Sequence, residues 1–302
     1  MDHSTLEIFC VVAEELSITR AAQRLGRVQS NVTTRIQQLE EELGAALFLR
    51  DNKRLRLSTQ GEKFLGYAQS LLALAEEARQ MLHPGVPDGL LRIGSMESTA
   101  ASRMPAVLAS YHRQWPQVQI RLCTNPSRQL LEALQARAID CALVALPLPA
   151  KDEPPLDLAQ LGLAGQPVFG EELMLVLPVE HRPVKTAKDV TVRSLAAFRG
   201  GCTYRAFAED WLREVPGQAE MPFDIQEVGS YHAMLACVAS GTCVSVIPRS
   251  VIELPREPAA VQQISLGHID TWLVWRDGYE TPAFGALRNM LPAAVGEPRQ
   301  QP

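Results

Sequence analysis

A chain of 302 residues is long enough for two domains. Apolar residues at 46% and charged residues at 21% are the proportions of a soluble globular protein, and no apolar run approaches the ~20 residues that span a bilayer. The net charge of −5 does not advertise a nucleic-acid partner, so any such function must come from a local excess of cations.

The first element is a helix opened by Ser4-Thr5-Leu6-Glu7, which has the S-x-x-E form of a capping box. It is expected to bury Leu6, Phe9, Val12, Ala13 and Leu16. Ile18, Ala21, Ala22 and Leu25 repeat helical spacing on a second helix, and Leu25-Gly26-Arg27-Val28 reads as a tight turn. In the third helix Val32, Ile36, Leu39 and Leu43 form one narrow apolar stripe. Ser30, Thr33, Thr34 and Gln37 lie opposite, with Gln29 and Arg35 on the flanks. That outward face is polar, almost uncharged and rich in hydrogen-bonding groups, as the edges of bases in a major groove require. On periodicity alone a surface helical hairpin fits equally well.

The flanking residues favour DNA. Between Arg20 and Arg56 stand eight bases (Arg20, Arg24, Arg27, Arg35, Arg50, Lys53, Arg54, Arg56) and four acids (Glu40, Glu41, Glu42, Asp51). Residues 47–50 and 54–57 flank the polar turn 51–53 as a two-stranded wing, whose cations Arg50, Lys53 and Arg54 suit backbone phosphates. Thr59-Gln60-Gly61-Glu62 is a second capping box and opens a long helix to about Leu82. Along it Phe64, Leu71 and Ala78 recur every seven residues, as do Tyr67, Leu74 and Met81, and Ala68, Ala75 and Leu82. So wide an apolar face asks for a second copy of the helix, or for the chain's own downstream domain. Residues 83–89 then read as a linker.

The run from Ala21 to Gly61 resembles the winged helix-turn-helix of LysR-type transcriptional regulators. The likeness rests on the stripe, the turn, the helix end Leu39–Gly44, the wing start at Leu47, Phe48 and Arg50, and the helix start at Leu57, Thr59 and Gly61. One residue departs from the pattern. Val28 stands where the family usually has a small polar residue, often Ser, and valine supplies no capping oxygen.

From Leu90 strands alternate with helices, which indicates a parallel α/β sheet. Strands are expected at 91–95, 118–123, 141–146, 173–178, 244–248, 261–266 and 271–275. Helices are expected from about 96 to 115, from an Asn125 cap with Pro126 following to about 137, and at 207–215, 231–240 and 279–290. The proline-rich stretch 147–167 reads as a loop.

The resemblance implies an all-α winged helix-turn-helix over 1–58, a linker and dimerisation helix over 59–83, and an α/β effector domain over 89–302. That domain is expected to resemble periplasmic binding proteins, with subdomain I at 89–163 and 268–302 and subdomain II at 164–267. The chain would cross between them near 163–168 and 266–270. Strand ends and helix starts then face one cleft. Ser98, Thr99, Thr124, Asn125 and Ala145 are its expected effector contacts on one side, and Cys202, Tyr204, Ser230 and Ile247 on the other. Hydroxyls and helix N-termini favour an anionic effector, and Arg205 adds charge. Implied partners are double-stranded operator DNA, a small-molecule effector and further copies of the chain, as a dimer or tetramer, with RNA polymerase left open and no membrane.

No nucleophile elbow, P-loop, H-E-x-x-H or G-x-G-x-x-G occurs, and the six histidines are scattered, so an enzyme is not expected. The six cysteines form no CxxC or zinc-type cluster, and neither metal nor cofactor is expected. Most read as small buried residues; a thiol switch at Cys202, its pKa lowered by Arg205, or at Cys237 and Cys243 is the minor alternative. Without a secretion signal at its start, the chain is expected to be cytoplasmic.

Overall fold

The computed structural model describes residues 1–51, 54–82, 85–147, 154–213, 223–257 and 259–292. It divides into two units, Met1–Pro84 with Ala136–Ala138, and Gly85–Gln135 with Ile139–Pro302.

In the first unit helix α1 (His3–Glu15) is capped by Asp2, whose carboxylate accepts the Thr5 N–H at 2.8 Å. The cap expected at Ser4 thus lies two residues earlier, where a carboxylate also meets the positive end of the helix dipole. Leu16, expected in the core, ends the helix at φ 45° and is 46% exposed. Helix α2 (Ile18–Arg24) is capped by Ser17, and Gly26 turns the chain at φ 63°. Helix α3 (Gln29–Leu43) buries Val32, Ile36 and Leu39, while Leu43, the last member of the stripe, is exposed. Phe9 sits at the centre of this core, its ring 5.4 Å from Phe48 and 5.1 Å from Phe64.

Strands β1 (Phe48–Asp51) and β2 (Arg54–Leu57) pair antiparallel as the expected wing. Helix α4 (Thr59–Met81) begins one residue before the expected position, because Ser58 rather than Thr59 supplies the cap. The Ser58 hydroxyl accepts the Gly61 N–H at 2.9 Å and donates to the Ala46 carbonyl at 2.6 Å, fixing the helix to the residues that lead into the wing.

In the second unit a six-stranded sheet has the order β4-β3-β5-β10-β6-β9. Strands β3 (Gly89–Ser95), β4 (Val118–Thr124) and β5 (Cys141–Ala145) pair in parallel around β3. Strands β6 (Leu163–Pro178) and β10 (Val261–Arg276) run antiparallel along their whole length. One end of β10 pairs with β5, and the other end of β6 pairs with β9 (Ser245–Pro248). Two expectations are corrected here. The loop ends at Gly162 rather than at Pro167, and the strands expected at 261–266 and 271–275 are one.

Two short strands, β7 (Ser194–Ala197) and β8 (Asp224–Glu227), were not anticipated; they pair in parallel, and Leu195 bridges to Val244 beside β9. Helices α5 (Glu97–Ser102) and α6 (Met104–Gln114) break at Arg103, where one helix was expected. Helices α7 (Ser127–Gln135), α8 (Thr203–Arg213), α9 (Tyr231–Ala239), α10 (Arg249–Ile252) and α11 (Pro282–Met290) complete the unit.

Alternation along the strands sends side chains to both faces of the sheet. Around β3 and β5, Ile93, Leu143 and Leu273 pack under α6 and α11, while Val144 and Val274 pack under α7. Around β9, Leu175 and Val246 pack under α8, while Met174, Val176 and Ile247 pack under α9.

Candidate functional site

Two sites arise, one in each unit. On α3 Ser30, Thr34 and Gln37 are exposed, as are Asn31 and Gln38 beside them, which the stripe argument had left out. Thr33 is half-buried and its hydroxyl donates to the Gln29 carbonyl one turn back at 3.0 Å. The Gln29 side chain accepts from Thr19 at 3.2 Å. Arg35 is half-buried and forms an ion pair with Asp2 at 3.4 Å. The outward face therefore narrows to Ser30, Thr34 and Gln37 with their two amide neighbours. Val28 offers no side-chain cap, as the sequence implied, and is 69% exposed.

The charge excess is smaller than the window from Arg20 to Arg56 suggested. Arg20 and Arg24 pair with Glu14 and Glu15, which lie just before the window, and Arg35 pairs with Asp2. The wing keeps its cations: in β2 Arg54 and Arg56 are exposed, while Leu55 and Leu57 turn inward. The Arg50 side chain and all of Lys53 fall outside the described residues. Glu40 near the end of α3 accepts the Leu47 and Phe48 N–H groups at 2.7 and 3.0 Å, so the wing is held to the helix whose face it flanks.

The long helix α4 leaves Tyr67 (72%), Leu71 (43%) and Leu74 (45%) exposed, with Ala75 and Ala78 on the same side. Phe64 and Ala68, from the same seven-residue tracks, pack instead into the core of the first unit.

The second unit holds a cavity of about 400 Å³ at the carboxyl ends of β3 and β4. Of the expected contacts, Ser98, Thr124, Asn125, Cys202 and Tyr204 line it. Thr99 is fully buried within α5, and Ala145 is buried with its carbonyl accepting from Thr203 at 2.8 Å. Ser230 caps α9 by accepting the Ala233 N–H at 3.2 Å, and neither it nor Ala145 reaches the cavity. Ile247 is likewise excluded, because the pleat turns it into the core beneath α9.

Asn125 does not cap α7. The first helical bond runs from Leu130 N–H to the Pro126 carbonyl, so the helix starts at Ser127 and Asn125 is free to accept from Arg199 at 2.8 Å. Arg199, absent from the expected set, is the cation on the cavity wall. The expected one, Arg205, is held by Glu209 at 2.7 Å and Glu227 at 2.6 Å and does not line it. Glu97, Ser127, Phe198 and Tyr231 are further lining residues that the sequence did not single out. The rings of Phe198 and Tyr231 stand edge to face at 4.9 Å.

The Ser98 and Tyr204 hydroxyls are buried facing each other, and two polar atoms here are buried without partners among the described residues, the Ser127 hydroxyl and one Glu97 carboxylate oxygen. Such groups lose solvation without gaining a hydrogen bond, and a ligand that supplies one is favoured. Burial pushes the Glu97 carboxyl above its ordinary range, with His232 opposing. The Tyr204 phenol is also pushed up by burial and by Glu171, so it is a neutral donor.

The thiols do not fit a switch. Burial pushes the Cys202 thiol up, outweighing nearby backbone N–H groups and Arg205. Gln226 stands between Cys237 and Cys243, donating to one sulfur at 3.6 Å and accepting from the other at 2.8 Å. Cys123 is exposed, while Cys10, Cys141 and Cys243 are buried. Among the described residues no group of three or more His, Cys, Asp or Glu side chains is placed to hold a metal ion, and no helix is long and apolar enough to cross a membrane.

Comparison with known proteins finds a family match in each unit. Residues 3–62 match the family "Bacterial regulatory helix-turn-helix protein, lysR family", and residues 84–296 match "LysR substrate binding domain". The chain is 32% identical to the HTH-type transcriptional regulator GltR of Bacillus subtilis, over 95% of each sequence. It is 36% identical to the regulator YusT of the same species, over 84% of this chain and 81% of the other. Among solved structures, a substituted full-length OxyR from Pseudomonas aeruginosa matches with a TM-score of 0.70 at 22% identity, covering 96% of this chain and 97% of that one. Full-length CbnR in complex with its target DNA matches with a TM-score of 0.65 at 21% identity, covering 96% and 99%. The chain belongs to the LysR family: it is a DNA-binding transcriptional regulator with an effector-binding domain.

Proposed function

We propose that this regulator reads operator DNA with Ser30, Thr34 and Gln37 at base edges, while Arg54 and its wing neighbours Arg50 and Lys53 neutralise phosphates. Gln29, Thr33 and Arg35 serve at the margins of that face. The carrying observation is the exposed polar face of α3 beside a wing that presents arginines outward and leucines inward. An ordinary solvated helix face would carry more Glu and Lys. Two copies pair through the apolar stripe of α4, and pairs of dimers give a tetramer. The two recognition helices of one dimer then meet half-sites about one helical turn apart, roughly 34 Å. A protein that controls transcription this way works in the cytoplasm, beside the chromosome and RNA polymerase.

The effector domain holds a small carboxylate-bearing metabolite in the 400 Å³ cavity, a volume within the range of small-molecule sites. Ser98, Thr124, Asn125, Tyr204 and Arg199 are its contacts, with Cys202 on the wall. Selection from a random duplex library tests the DNA reading. A partly palindromic consensus is expected, with affinity falling steeply with salt. Binding without sequence preference at every salt concentration sinks it.

A further inference from the structure

The cavity carries two ionisable groups of opposite sign, and neither has an ion-pair partner among the described residues. Arg199 donates only to neutral amide oxygens, Asn125 Oδ1 and Gln129 Oε1, both at 2.8 Å. Arg205, six residues on, is paired with two carboxylates. Glu97 lines the same cavity with one carboxylate oxygen buried and unpartnered. The other acid on the wall, Glu227, is already committed to Arg205. A site for a simple anion has no use for a buried, unsatisfied carboxylate, which repels the ligand and costs desolvation.

We propose that the effector is a small zwitterion, an amino acid whose carboxylate faces Arg199 and whose ammonium group faces Glu97. This rests on the cleft being the effector site. The buried hydroxyls of Ser98, Ser127 and Tyr204 supply neutral hydrogen bonds between the two charged ends. An ammonium donor satisfies the orphaned Glu97 oxygen, and a carboxylate gives Arg199 the ionic partner it lacks. Phe198 and Tyr231 give the remaining wall an aromatic surface for an apolar or neutral side chain.

The test is binding of the twenty standard amino acids to the full-length protein, by thermal shift and then calorimetry. Each ligand found is compared with its 2-hydroxy acid, which lacks the ammonium group, and its decarboxylated amine. The expected result is that an amino acid binds and both analogues bind on the order of 100-fold more weakly. Glu97→Gln should bring the amino acid and the hydroxy acid to within a few-fold of each other. Arg199→Ala, at an exposed position where folding is not at stake, should do the same for the amino acid and the amine. Hydroxy acids or dicarboxylates that bind as tightly as amino acids overturn the zwitterion while leaving the cleft in place. So does an unchanged preference in Glu97→Gln. Binding untouched by both substitutions together, or no binding by any compound, overturns the cleft reading as well.

Discussion

Gly61 lies against Leu47 so closely that a Cβ atom on it would stand 2.0 Å from the Leu47 carbonyl oxygen. That oxygen accepts the Ser58 N–H at 2.8 Å, in the same corner where Ser58 caps α4. Glycine here permits the long helix to dock on the start of the wing. Gly61→Ala gains about 1 kcal/mol of helix propensity. It must also push one backbone off another, since the two nearest atoms belong to the Leu47 backbone. A net loss of about 1–2 kcal/mol is expected, visible as a lowered melting temperature, and a melt at or above that of the parent would show that the corner gives way freely.

The two kinds of DNA contact should separate by mutation. Thr34→Ala removes a group at the exposed face of α3 and should alter which sequences are preferred. Arg54→Ala should weaken binding to all sequences alike and lower the slope of log affinity against log salt by about 0.9. Quantitative binding to a panel of operator variants at several salt concentrations distinguishes them. Equal loss across the panel for both variants would mean the faces are misassigned.

Leu71 is half in solvent on the stripe with Tyr67 and Leu74. Leu71→Glu should leave the fold of a single chain nearly unchanged and convert dimers to monomers in sedimentation. Losing the second recognition helix should weaken operator binding on the order of 100-fold or more. Retention of the parent's oligomeric state would place the interface elsewhere.

Glu97 gives a pH signature. Its folded-state pKa is raised by burial above the unfolded value of 4.5. The folded protein therefore holds this proton more tightly, and the contribution of Glu97 to stability falls as pH rises from about 4.5 through the folded value. Glu97→Gln carries no such charge. The variant should gain stability over the parent at neutral pH, and that gain should shrink as pH falls toward 4. Denaturant melts at pH 4, 6 and 8 check this, and a gain that grows on acidification would contradict the assignment.

What the sequence revealed was whatever depends on neighbours along the chain. The Val32, Ile36 and Leu39 stripe is local, and so are the wing and the turn at Gly26. Caps slipped by one or two residues because adjacent side chains are chemically alike: Asp2 serves instead of Ser4, and Ser58 instead of Thr59. The strands β6 and β10 were cut short for a different reason. Pro167 closed the expected loop and Gly267 fell in the gap between two expected strands, yet both sit at register shifts, where a bulge spares the missing N–H and admits a φ of 123°. The wrong arginine was chosen because β8 was missed: without that strand, nothing places Glu227 against Arg205. Tertiary partners far apart in sequence decided which cation faces the cavity.

The strands β6 and β10 also constrain how the gene can be divided. The two lie side by side within the sheet, β10 pairing with β5 near its C-terminal end and β6 pairing with β9 near its own. No single cut yields a fragment in which either half keeps all its strands. A termination anywhere between Pro178 and Val261 removes β10 and so strips the central partner from both halves at once. Recombination that exchanges effector specificity between such regulators must therefore move the segment from β3 to α11 as one block, or use two junctions placed in matching positions on the paired strands.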